Sequence, residues 1–529
     1  MSANPFDDFI SFITQKHGEE NWVTVYKSIP INEKNEDGGM YCALVSSEKA
    51  RKALRQPDWD LLIGTGGPGF CTSYENGTKT IRYCAKTDED PLRLVLNRDF
   101  YGKKNNYTEI TEEFRLFHNL YYQHSTSSYI AFDDEGDEVD VIIMTDNEVK
   151  IRKSYLRAFM AAKQMHLLLY FELTRHFQHL TGFNAEEKNE STNFIIYSGS
   201  SYANGYTSFV RILGKKIIKC DAIENCGVWP FEKKKKYQEF IIGGDDNEPE
   251  MFTCDPALLS NYFVDKSGAS HYLTPVFFRK EVMQKYYSAS DYEVSDGILS
   301  RRGSWSLRLD NNSPHHVSVF LGDLGRDLPA KEQIYWKSFN IAPDGRKIST
   351  TNFQRNFMGS FFDPESPEHI FKNKYTLLQN SWKEKYGWNL FLKLSKKDEH
   401  FFTSIHSMLK NEQSEFDAQI LAITKVIIDS INVKEIRKLL GITDSEIKSI
   451  ALIEALLATI NAIDAAKHTT LLRGIQSVRS TGVAHRKGTE YDKAIARLDI
   501  NENNYRAEFD QILLGIVELF EALTPSMPR

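Results

Sequence analysis

The spacing of apolar and polar residues changes character near residue 396. Before that point strand patterns dominate. Residues 129–132 and 139–144 flank the acidic stretch Asp133-Asp134-Glu135-Gly136-Asp137, whose glycine suits a tight turn, so the pattern predicts a hairpin. A helix is predicted over about 153–179. There Leu156, Phe159, Met160, Met165, Leu167, Leu168, Phe171 and Leu173 run almost continuously, as in a buried or interface helix. Residues 209–218 read as two strands meeting at a turn on Gly214, and 317–321 as a strand after the turn Asn311-Asn312-Ser313-Pro314. The segment 110–120 fits an amphipathic helix with Phe114, Phe117 and Leu120 inward. Between about 222 and 330, Gly, Asn, Asp and Ser interrupt short apolar runs and the pattern draws no boundaries.

From 395 to 523 there is no proline, and apolar residues recur every three or four positions. Phe416, Ile420, Ile423, Ile427 and Ile431 predict a first helix over about 415–440, ended by Gly441. Thr443-Asp444-Ser445-Glu446 has the spacing of a capping box opening a second helix, striped by Ile447, Ile450, Ile453, Leu457 and Ile460. A third helix is predicted over 465–483 and a last one over 505–523. Short connections between such helices predict an antiparallel bundle. The fold class is therefore α+β: a mixed, strand-rich region over 1–395, in one or two subdomains, followed by an all-α bundle over 396–529.

Composition adds limits. The 529 residues exceed one ordinary core, and 41% hydrophobic with 26% charged residues is globular usage. No apolar run approaches the roughly 18–20 residues that cross a bilayer. The opening stretch has no basic segment before its apolar residues, which speaks against a secretory signal. Six irregularly spaced cysteines without a CxxC fit reduced thiols in a cytoplasmic protein rather than a disulfide framework. A net charge of −7 argues against non-specific coating of nucleic acid, while leaving room for a local basic site.

Such a site stands out over 465–488, which holds Lys467, Arg473, Arg479, Arg486 and Lys487, two histidines, and no Asp or Glu. A solvated cationic helix face would carry the same charges. Two details favour chemistry. Arg479 and His485 are six apart with Gly482 between them, a place for the helix to end or kink so that both side chains could meet in one cleft. Arg486 and Lys487 beside His485 lower its affinity for a proton, which suits acid–base work on a phosphodiester next to a fixed guanidinium.

An Arg, five intervening residues and a His, late in a helical bundle, resembles the R-x4–6-H signature of HEPN domains. The run from Arg479 to Gly488 is similar to the form in the ApeA-like HEPN group. Many HEPN domains are metal-independent ribonucleases of toxin–antitoxin, CRISPR and anti-phage systems. The resemblance covers about residues 396–529 and departs at Ser480, where active members often have Asn, Asp or His. It implies 2′-OH attack on RNA with His485 as acid or base, Arg479 stabilising phosphoryl charge and Ser480 donating a hydrogen bond. Lys467, Arg473, Arg486 and Lys487 would bind RNA. It also implies a homodimer pairing two motifs through the bundle, with a phage-derived trigger or an antitoxin as regulator and the 1–395 region as sensor or substrate positioner. No cofactor or metal is implied. A non-catalytic RNA- or nucleotide-binding dimeric scaffold is the alternative.

Other signals are weaker. Gly64-Thr65-Gly66-Gly67-Pro68-Gly69 lacks the ending of a phosphate loop and reads as a flexible turn. His315-His316 and the pair Cys220 and Cys226 lack partners at metal-ligand spacing. The lysines at 233–236 read as a solvated loop.

Overall fold

The computed structural model describes residues 7–30, 35–55, 69–98 without 85–90, 100–177, 185–199, 208–232, 234–245, 247–483 and 488–524. The chain divides into two compact units, Met1–Asp133 with Asp137–Lys234, and Asp134–Gly136 with Lys235–Arg529. The glycine-rich stretch 64–68 lies outside the described residues.

The first unit is built on a large antiparallel sheet. Its centre runs Thr192–Gly199, Ser208–Ile218, Met165–Phe177, Glu36–Ser46, Trp22–Ile29 and Glu148–Arg152. The hairpin Ser128–Phe132 with Glu138–Met144 forms as the alternation predicted, with Gly136 at φ 85°. The long helix does not. Lys153–Lys163 is helical, Gln164 turns left-handed at φ 51°, and Met165–Phe177 is a strand paired along its length on both sides.

Burial explains the misleading pattern. Leu167, Leu169, Phe171 and Leu173 face one core with Phe159 and Met160, while Leu168 packs with Val45, Ala50, Leu54 and Ile217 on the other face. A strand covered on both faces reads as a continuous apolar run and loses its alternation. Nor is Gly214 a turn: Ser208–Ile218 is one strand. A β-carbon on Gly214 would lie 3.1 Å from Phe194 Cβ and 3.3 Å from Ile13 Cδ1, so the residue marks a close approach. The helix predicted over 110–120 forms over Glu112–Phe117 with Phe114 buried, and it ends before Leu120, which follows a left-handed Asn119 at φ 49°.

The second unit begins with smaller antiparallel elements. Pro275–Arg279 lies between His316–Phe320 and Asn340–Ile341, and Tyr292–Ser295, Ile298–Arg301 and Trp305–Arg308 form a meander. Trp336 Nε1 donates to Tyr286 Oη at 2.7 Å, and that hydroxyl donates to Glu332 at 2.6 Å, so these buried polar groups are paired within the core.

Helices make up the rest. Tyr505–Leu523 forms as predicted and buries Phe509, Ile512, Leu513, Ile516 and Phe520. The bundle core also takes Phe371, Leu378 and Trp382 from Pro367–Tyr386, so its packed body starts before the composition change near 396. The helix predicted over 415–440 is broken. Gln413–Ile423 passes into a π turn, Thr424–Ile428, and the chain then leaves helical geometry. Ile431 bridges to Phe391, and Asn432 caps a new helix, Val433–Leu440, by accepting from Glu435 N at 3.3 Å. Gly441 ends that helix at φ 67°, as expected. The capping box does not form. Arg437 holds the carbonyls of Ser445 and Ile447 at 2.8 and 2.7 Å, and the next helix starts only at Ser449. Among the described residues no helix is long and apolar enough to cross a membrane.

Candidate functional site

The helix Ala465–Val478 carries the cationic run and buries His468, Thr469, Leu472, Ile475 and Val478. These recur at steps of one or three residues along one side and dock it in the bundle core. The chain then continues as a π turn, Arg479–Val483, so helical geometry reaches Val483, the predicted bound, and changes form around Gly482, where the sequence offered an end or a kink. Two glycines shape the elbow. A β-carbon on Gly474 would fall 2.2 Å from Leu498 Cδ2, and one on Gly482 would fall 2.4 Å from Tyr491 Cε2. Absent side chains at these positions let the following helix, Thr489–Arg497, pack back against the elbow.

The cations do not pool. Lys467, Arg473 and Arg479 are six residues apart, a step of about 240° at 3.6 residues per turn, so they point to three sides of the helix. Folding also supplies the carboxylates that the local sequence lacks. Lys467 Nζ meets Glu518 Oε2 at 2.6 Å, and this contact raises its pKa. Arg473 pairs with Glu454 at 2.5 Å. Both pairs are solvent-exposed, where an ion pair contributes about 0–1 kcal/mol and a phosphate could compete.

Arg479 differs. It is half-buried at the first position of the π turn, and no described residue forms an ion pair or hydrogen bond with its side chain. Ser480 is exposed beside it, and its hydroxyl donates to the Ser477 carbonyl at 3.0 Å. The donor that a role at phosphate requires is therefore occupied by the backbone. Thr481 makes the same kind of bond to Ser477 O at 2.7 Å. His485, Arg486 and Lys487 lie outside the described residues. The structure thus places Arg479 and Ser480 on one turn and turns Lys467 and Arg473 toward separate carboxylates.

Sequence reasoning missed a buried ionic cluster in the same unit. Glu368 accepts from Tyr287 Oη at 2.7 Å and from Ser407 N at 2.6 Å. His406 stacks on the Tyr287 ring at 4.0 Å and meets Glu415 at 3.3 Å. Burial alone would raise the Glu368 carboxyl, but His369, Lys372, His406 and Lys280 outweigh it and hold it at about 2. His369 is pushed by burial toward its neutral form, and its Nε2 is buried without a hydrogen-bond partner. The cluster unites residues up to 230 positions apart in sequence, from Lys280 to Asp510, whose carboxyl burial raises. No local spacing announces it.

Of the weaker signals, His316 is buried and donates from Nε2 to Lys347 O at 3.0 Å, and Cys226 is a buried free thiol. Among the described residues no group of three or more His, Cys, Asp or Glu side chains is placed to hold a metal ion. No protein-family profile, no curated protein and no solved structure matches the chain.

Proposed function

We propose that the helical part of the second unit is a metal-independent endoribonuclease, acting on RNA as a homodimer in an anti-phage or toxin-type system. The observation that carries this reading is Arg479. A half-buried guanidinium with no carboxylate among the described residues is an anion site waiting for a ligand, whereas Lys467 and Arg473 are already paired. The resemblance of the run from Arg479 to Gly488 to HEPN domains supplies the reaction class. In it, a general base takes the 2′-OH proton, the 2′-oxygen bonds to phosphorus, and the bond from phosphorus to the 5′-oxygen breaks as that oxygen gains a proton. The products are a 2′,3′-cyclic phosphate and a 5′-OH. His485 is the proton carrier, Arg479 binds the phosphoryl oxygens as charge develops, and Arg486 and Lys487 hold the strand. A phage-derived trigger or an antitoxin would set when the centre acts.

The occupied hydroxyl of Ser480 favours a second reading, a non-catalytic scaffold that binds RNA or a nucleotide at the same elbow. One experiment separates them. The full chain, Arg479→Ala and His485→Ala are incubated with RNA in EDTA, and binding and new 2′,3′-cyclic phosphate ends are both measured. The ribonuclease reading expects cyclic ends from the wild type alone, with cleavage falling by about 10²–10³ on loss of Arg479. Binding lost in Arg479→Ala with no cyclic product from any protein supports the scaffold, and wild-type cleavage by His485→Ala overturns the assigned chemistry.

A further inference from the structure

A cleft of about 490 Å³ lies within the second unit, between the meander that ends at Arg308, the strand His316–Phe320 and the helix Thr350–Asn356. Three arginines and three aspartates reach its wall. The carboxylates are committed elsewhere. Asp296 is taken by Arg355 at 2.7 Å and Asn312 at 2.8 Å. Asp310 accepts from Ser349 N and Oγ at 2.7 and 2.8 Å. Asp323 is held by Tyr272 Oη at 3.0 Å and Arg326 at 2.8 Å.

That leaves Arg308. On the strand Trp305–Arg308 the alternation sends Leu307 into the core and Arg308 outward, opposite Ile298 in the ladder. Arg308 feels the charge of Asp323, yet forms no ion pair or hydrogen bond among the described residues. A second polar group is also unanswered: Asn352 lines the cleft, and its Oδ1 is buried with no hydrogen-bond partner. Such an atom destabilises the fold unless a donor reaches it. The same wall carries Phe357, 42% exposed, stacked on one face by Phe353 at 5.6 Å and in edge contact with Phe320 at 5.9 Å.

We infer that this cleft binds a nucleoside phosphate whose base carries an exocyclic amine. The three leftover features fit the three parts of such a molecule: the Arg308 fork takes the phosphate, the Phe357 face takes the base, and Asn352 Oδ1 accepts from the amine. The volume falls in the range of small-molecule sites. This inference stands apart from the ribonuclease reading, and its test reads binding alone.

The test is isothermal titration of the full chain with AMP, GMP, CMP, IMP, adenosine and inorganic phosphate, repeated on Arg308→Ala and Asn352→Ala. AMP is expected to saturate one site, with IMP, adenosine and phosphate each at least tenfold weaker. Arg308→Ala should weaken AMP at least tenfold, and because the side chain is exposed and unpaired the variant should fold as the wild type. Asn352→Ala should bring AMP down to the level of IMP. The inference is overturned if AMP, GMP and CMP all fail to bind at millimolar concentration, if phosphate alone binds as tightly as AMP, or if Arg308→Ala binds like the wild type.

Discussion

Gly482→Ala is a direct probe of the elbow. The new β-carbon would sit 2.4 and 2.5 Å from Cε2 and Cδ2 of Tyr491. That ring is 3% exposed, and its hydroxyl accepts from Gln413 Nε2 at 3.1 Å, so it cannot swing aside freely. Overpacking of this kind costs about 1–3 kcal/mol. Against it stands a gain of about 0.5–1 kcal/mol for replacing a helical glycine with alanine. The net expectation is a loss of about 0–2.5 kcal/mol, the clash offsetting the propensity gain. In a Tyr491→Ala background only the propensity gain is left, so the same substitution should stabilise by about 0.5–1 kcal/mol. Urea denaturation of the four proteins of this cycle, followed by far-UV circular dichroism, measures the reversal. An equal cost in both backgrounds would refute the claim that ring contact shapes the turn bearing Arg479.

Two pH dependences follow from buried groups. Glu368, held at about 2, stabilises the fold above its unfolded value of about 4.3, and that contribution is lost as pH falls from there toward 2. Glu368→Gln should cost about 3 kcal/mol at neutral pH by removing the buried counter-charge shared by His369, Lys372 and Lys280, and the gap to wild type in urea melts should close across that acid window; a gap unchanged with pH contradicts the assignment. In the first unit, burial lowers His118 to about 4 despite its hydrogen bond to Tyr155 O at 2.9 Å. Here the native state resists protonation, so stability should fall as pH drops from about 6.5 to 4. NMR titration should find the ring neutral at pH 5, and His118→Phe should remove that limb of the stability curve.

What could be read ahead of the structure depended on how many faces an element buries. Tyr505–Leu523 has one apolar side and one polar side, and its pattern gave its bounds. Met165–Phe177 has neighbours on both faces, so the signal that separates strand from helix was erased. The break at Asn432 was hidden because Ile431 kept the helical period while actually bridging to Phe391. At the elbow, the absence of acids between 465 and 488 was true locally and misleading in space, since Glu454 and Glu518 arrive from other helices. Gly482 was singled out as a place for the helix to end or kink, and the π turn Arg479–Val483 falls there. Its reason is steric, and Tyr491 supplies it.

The helix Pro367–Tyr386 has a practical consequence for anyone isolating the helical part of the second unit. Phe371 rests on Phe520 at 5.4 Å, and Lys374 reaches Glu521 at 2.7 Å. A fragment cut at 396 would strip that wall away and turn the inner side of the last helix into a sticky surface, so truncations meant to stay in solution should begin upstream of Ser366.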